Sequence, residues 1–86
     1  MFVIYKVMNK VNRKSYIGFT TQYPPTRRFT AHRYAAKKKS QLALHRAIRK
    51  YGPRNFRFEI LEIGENHVYG IRVAEPMYIK WLRPEY

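Results

Sequence analysis

Phe2-Val3-Ile4-Tyr5-Lys6-Val7-Met8, followed after a short interruption by Ser15-Tyr16-Ile17-Gly18-Phe19, is the stretch on which the fold turns. Both runs are rich in β-branched and aromatic residues, and Asn9-Lys10-Val11-Asn12 between them supplies turn formers, so a β-hairpin is predicted. If those four residues are the loop, Met8 faces Arg13, and the antiparallel register sets Tyr5 directly opposite Tyr16 and Ile4 opposite Ile17. Alternation then sorts the hairpin into two faces. Phe2, Ile4, Ile17 and Phe19 form a core face. Val3, Tyr5, Val7, Lys14, Tyr16 and Gly18 form the other, where two phenolic hydroxyls meet beside a glycine.

Beyond the hairpin, Pro24-Pro25 starts a helix over Thr26 to about Lys38, with Phe29 and Arg33 or Ala36 at helical spacing. Ser40 reads as the N-cap of a second helix, Gln41 to Tyr51, whose stripe is Leu44, Ile48 and Tyr51 and which Gly52-Pro53 stops. Phe56, Phe58 and Ile60 alternate with Arg57 and Glu59, predicting a third strand that closes near Gly64. From Glu65 onward Val68, Ile71, Tyr78 and Leu82 keep helical spacing, interrupted by Gly70 and Pro76. Proline lacks a backbone donor and crowds the preceding turn, so a kink, or a new helix starting near Glu75, is expected. The element order is β-β-α-α-β-α, a small α/β (α+β) domain.

A chain of 86 residues fits one hydrophobic core, so a single domain over residues 1–86 is expected. No apolar run reaches membrane-span length, and Met1-Phe2-Val3 leads straight into a strand without signal-peptide architecture, which predicts a soluble intracellular protein. With no Cys, and with His32, His45 and His67 lacking the spacing of a histidine cluster, any metal must rely largely on oxygen ligands. His45 and His67 read as ordinary surface or helix residues.

Charge narrows the class of partner. The chain carries 18 Lys+Arg against 5 Asp+Glu, a formal net charge of +13. Every carboxylate side chain (Glu59, Glu62, Glu65, Glu75, Glu85) lies beyond residue 58, whereas all the basic residues except Arg72, Lys80 and Arg83 lie before it. Such an asymmetric field attracts a polyanion, and phosphate binding with counterion release makes nucleic acid the favoured partner, ahead of an anionic membrane. A merely soluble surface would mix the signs. Phosphate contacts are expected from Lys14, Arg27, Arg33, Lys37, Lys38, Lys39, Arg46, Arg49 and Lys50.

Taken in order, Val3-Ile4-Tyr5, Tyr16-Ile17-Gly18, Arg28-Phe29 with His32 four residues after the arginine, and Glu75 before Tyr78-Ile79 resemble the catalytic domain of the GIY-YIG nucleases. The similarity is closest to the intron-encoded homing endonucleases. It runs through Leu44-His45-Arg46, Lys50-Tyr51-Gly52 and Asn55-Phe56. Val3 and Arg13 stand where glycine is common in the family, which is compatible if the backbone there avoids positive φ.

The resemblance implies a three-stranded antiparallel sheet flanked by helices, and Mg²⁺- or Mn²⁺-dependent hydrolysis of phosphodiester bonds in double-stranded DNA. It also implies a catalytic set of Tyr5, Tyr16, Arg28, His32 and Glu75, with Glu75 the metal ligand. The chemistry agrees independently: a phosphodiester needs an activated water, neutralised phosphoryl oxygens and help for the departing oxygen. Arg28 offers a planar fork to phosphate oxygens, and its i, i+4 step to His32 puts both on one helical face. Tyr5 could accept the water's proton if neighbours assist a phenol whose free pKa is about 10. The rival reading is a non-catalytic basic nucleic-acid-binding module on the same fold. Target specificity is expected from a second protein or from a segment outside these residues.

Overall fold

Strand β1 (Phe2–Asn9) occupies the centre of the computed structural model, which describes residues 1–86. It pairs antiparallel with β2 (Ser15–Thr20) on one side and β3 (Phe56–Gly64) on the other, giving the sheet order β2-β1-β3. Helices α1 (Thr26–Lys37) and α2 (Ala43–Tyr51) cover one face. The other face is covered by a C-terminal helical run: α3 (His67–Tyr69), a π-wound turn (Gly70–Ala74) and α4 (Glu75–Leu82). The α+β order predicted from the sequence is the order observed.

The hairpin register differs from the predicted one. Tyr5 stands opposite Gly18, Val7 opposite Tyr16, and Ile4 opposite Phe19. The loop explains the slip. Asn9 still pairs with Lys14, its amide donating to the Lys14 carbonyl at 2.8 Å, so the turn is Lys10 to Arg13, and Arg13 does adopt positive φ (66°). Asn9 stabilises the turn by accepting the Val11 amide proton on Oδ1 at 2.9 Å. Because the register moves by two residues, every side chain keeps its predicted face, and Tyr5 and Tyr16 become diagonal neighbours with ring centroids 6.1 Å apart.

Both faces are cores. The face predicted to be apolar holds Phe2, Ile4, Ile17 and Ala74. The face predicted to display hydroxyls holds the larger cluster, with Val3, Tyr5, Val7, Leu44, Ile48 and Phe56 among its members, because α1 and α2 lie across it. Leu61 joins the first cluster through a bulge: Tyr5 pairs with Ile60 but Ile4 with Glu62, and the intervening residue flips the alternation of β3.

Helix ends also depart from expectation. Helix α2 begins at Ala43 with Leu42 as its N-cap, so Ser40 lies outside it; Ser40 Oγ accepts the Leu42 amide at 3.3 Å. Gly52 ends α2 at φ 87°, as its position before Pro53 predicts. At Pro76 the chain stays helical, with Gly70, Ala74 and Glu75 all in the αR region. The preceding turn is π-wound, which relaxes the spacing where the proline ring would crowd the Arg72 carbonyl. Helix α4 starts at Glu75. The C-terminal residues are tied to the hairpin: the Tyr86 amide donates to the Ser15 carbonyl at 3.0 Å, Glu85 Oε1 accepts the Ser15 amide at 2.9 Å, and Asn9 Nδ2 donates to the Tyr86 hydroxyl at 3.2 Å.

Candidate active site

The sheet-facing stripe of α1 is unusual for a core-facing helix: it reads half-buried Arg28, then buried His32 and Ala36, rather than a run of aliphatics. Steps of four residues bring these side chains onto one face, over the centre of the sheet. There the Tyr5 hydroxyl lies 2.9 Å from His32 Nε2. Tyr16 meets the His32 ring edge-on, centroids 5.2 Å apart, and Phe58 stacks on Tyr5 from β3 at 5.1 Å. Gly18 makes this possible: a Cβ there would fall 2.3 Å from the Tyr5 hydroxyl, so only glycine leaves the phenol its place.

Burial and charge set the protonation states. Tyr5 is wholly buried, and desolvation pushes its pKa up to about 12, reinforced by Tyr16 and partly offset by the Arg28 cation. Desolvation holds His32 down at about 4, and the charge of Arg28 and the neighbouring His45 add to the effect. At neutral pH the pair is therefore a neutral phenol on a neutral imidazole. Arg28 contacts both electrostatically but has no carboxylate partner, and its Nε is buried without a hydrogen-bond acceptor. A buried guanidinium nitrogen with no acceptor is costly and calls for an anion.

His45 is not the ordinary surface or helix residue expected. It is buried, its Nε2 lies 2.8 Å from His32 Nδ1, and its Nδ1 lies 2.8 Å from Ser40 Oγ. Its pKa is lowered by burial, then by Arg49 and Arg28. A signal was present in the sequence: His45 sits three residues before Ile48, on the edge of the apolar stripe of α2. His67 is exposed, with Nε2 3.1 Å from the N-terminal amine.

Glu75 comes from a different helical layer than Arg28 and His32. It opens α4, in the other helical layer, where its neighbour Ala74 packs with Ile4 and Ile17. It is half-buried, desolvation raises its pKa, and no hydrogen bond or ion pair engages its carboxylate. The remaining acids are occupied or exposed. Glu62 accepts the Tyr78 hydroxyl at 2.9 Å, Glu59 pairs with Arg57 at 3.2 Å, and Glu65 is open to solvent. No three His, Asp or Glu side chains gather as a metal-holding group. A cation on Glu75 would have one protein carboxylate and otherwise water or phosphate oxygens, a donor set that suits Mg²⁺.

Comparison with known protein families matches residues 1–86 to the GIY-YIG catalytic domain. The chain belongs to that family. Membership implies a nuclease, and the Tyr5 and Tyr16 strands of this GIY-YIG domain are the central and edge strands of its sheet. No curated protein and no solved structure matches the chain.

In this GIY-YIG domain Lys14, Arg27, Arg33, Lys37, Lys38, Lys39, Arg46, Arg49 and Lys50 are all exposed. Arg57 is the only Lys or Arg paired with an acidic side chain, so the positive field is left uncompensated. Arg33, Lys37 and Arg49 line a pocket of about 220 Å³ between α1 and α2. No helix is long and apolar enough to cross a membrane.

Proposed function

We propose that this GIY-YIG domain is a metal-dependent endonuclease that hydrolyses phosphodiester bonds in double-stranded DNA, cutting one strand per active site. The observation that carries the reading is Arg28: a buried Nε with no acceptor, beside the Tyr5 hydroxyl and without a carboxylate partner. A phosphate group supplies what that guanidinium lacks. Tyr5 takes the proton of the attacking water, its own proton passing to the neutral His32 Nε2 that already meets its hydroxyl. Tyr16, half-buried on the edge strand, positions water or phosphate. Arg28 neutralises charge on the non-bridging oxygens.

Glu75 would hold the Mg²⁺ or Mn²⁺ ion, which supplies charge neutralisation at the phosphate and help for the departing oxygen. The exposed basic residues hold the duplex backbone. Such contacts position DNA without reading sequence, so target choice falls to a second protein or a further segment. Within the family we place the domain with the homing-type nucleases on its Leu44-His45-Arg46 and Lys50-Tyr51-Gly52 runs.

One observation favours the second reading, a non-catalytic DNA-binding module: Tyr5 is 0% exposed, so its phenol is closed to solvent. Incubating supercoiled plasmid with the protein, with and without Mg²⁺, separates the two. Nicked or linear product only with Mg²⁺, lost in Arg28→Ala, supports the nuclease; binding without product leaves the module.

A further inference from the structure

We propose that His45 and Ser40 extend the Tyr5–His32 pair into a proton wire that leads from the buried phenol to the surface, making both of them positioning residues for cleavage. The inference rests on the reading of Tyr5 as the group that takes the water's proton. Its geometric basis is three consecutive short contacts: Tyr5 hydroxyl to His32 Nε2 at 2.9 Å, His32 Nδ1 to His45 Nε2 at 2.8 Å, and His45 Nδ1 to Ser40 Oγ at 2.8 Å. The inner end is wholly buried, whereas Ser40 is half-exposed on the connection between α1 and α2. The line thus crosses from strand to helix to helix to solvent.

A wire is needed because neither end of the inner pair can keep the proton. A phenol acts as a base only after losing its own proton, and in the DNA-free protein Tyr5 has no contact with bulk water through which to lose it. His32 can take the proton, but an imidazolium there would sit desolvated beside Arg28. The second histidine removes that difficulty. With both rings neutral and protonated at Nδ1, each ring can accept at Nε2 as it gives up its Nδ1 proton. The Tyr5 O–H bond breaks as His32 Nε2–H forms; His32 Nδ1–H breaks as His45 Nε2–H forms; His45 Nδ1–H breaks as a new Ser40 O–H forms, and Ser40 releases its former proton to bulk water.

Each ring ends with one proton, Tyr5 ends as a phenolate facing His32 Nε2–H, and one proton has left the protein. The phenolate then takes a proton from the attacking water. Arg28 and Tyr16 face the inner end of the line and Arg49 the outer. None of the charges acting on these three groups is a carboxylate, so no fixed anion holds an imidazolium in place.

The test uses single-turnover cleavage of plasmid DNA with Mg²⁺ from pH 6 to 9, for wild type, His45→Gln, Ser40→Ala and Ser40→Thr. In His45→Gln the side-chain amide can still accept the His32 Nδ1 hydrogen bond but cannot pass a proton on. His45→Gln and Ser40→Ala should each slow cleavage about tenfold or more at pH 7, with DNA affinity unchanged, while Ser40→Thr cuts like wild type. The deficit should shrink as pH rises, because hydroxide then removes the proton that the wire no longer carries. A deficit constant across pH, or wild-type rates in both broken variants, overturns the wire and leaves a packing network.

A second measurement needs no cleavage. Nitrogen-15 NMR of the histidine rings should show the same ring nitrogen protonated in His32 and His45, as continuous donation requires. Opposite tautomers leave the line broken and overturn it. A wild-type protein that cleaves no DNA overturns the functional reading instead, and the tautomers then decide the wire alone.

Discussion

The Tyr5 hydroxyl and His32 Nε2 lie 2.9 Å apart, joining the central strand to the first helix at a point where both residues are buried. The pair is thus built into the core rather than laid on its surface, and removing either partner is expected to lower stability as well as the proposed cleavage.

Replacing the two tyrosines should separate these effects. Tyr5→Phe leaves His32 Nε2 without a partner in a buried place, costing about 1 to 3 kcal/mol of stability. Tyr16 is half-exposed on the edge strand, so Tyr16→Phe should lower the denaturant midpoint less than Tyr5→Phe does. Both should bind DNA and cleave it on the order of 10²- to 10⁴-fold more slowly. Wild-type turnover in both would return the pair to packing.

For Glu75, the expected result is that Glu75→Gln abolishes Mg²⁺-dependent cleavage and leaves DNA binding intact or slightly tighter, since a negative charge near the phosphate is gone. Glu65→Gln is a suitable control because that side chain is open to solvent, whereas Glu62 holds Tyr78. Cleavage by the Glu75 variant at the wild-type rate would move the metal elsewhere.

Acid stability follows from His32. Its pKa falls from 6.5 to about 4 on folding, so between those values the unfolded chain binds the extra proton. Stability is fully present above pH 6.5 and is lost as pH falls toward 4, by on the order of 3 kcal/mol, with His45 acting in the same direction. Urea unfolding at pH 7 and pH 4 should show the loss, and His32→Gln should reduce it. An unchanged pH dependence in that variant would place the titrating group elsewhere.

Binding to duplex DNA should weaken linearly on a log–log plot against salt. Replacing Lys37, Lys38 and Lys39 together by Gln should lower the slope by roughly 0.9 for each that touches a phosphate. An unaltered slope would show that this turn faces away from the DNA.

Much of this arrangement was legible in the residues. Strand periodicity placed Tyr5 and Tyr16 on one face, and that survived a wrong register because a slip of two residues preserves parity. The register itself was not legible, since it depends on Arg13 adopting a left-handed conformation that its side chain does not advertise. Arg28 and His32 could be paired by helical spacing alone. His45 could not, because its partner is on another helix, and hydrogen bonds between helices leave no periodic trace. The layer occupied by Glu75 was equally hidden: a helix following β3 can pack on either side of the sheet, and sequence spacing does not choose.

The sheet order has a consequence for the chain as it is being made. Tyr5 leaves the ribosome well ahead of β3, which flanks its strand on one side, and of the Phe58 ring that stacks on it, both more than fifty residues later in the chain. Hairpin and helices can form as they emerge, but the phenol has no wall until β3 arrives. The nascent protein therefore passes the message and ribosomal RNA beside it with Tyr5 and His32 not yet enclosed, and completes the proposed site only when β3 closes the sheet.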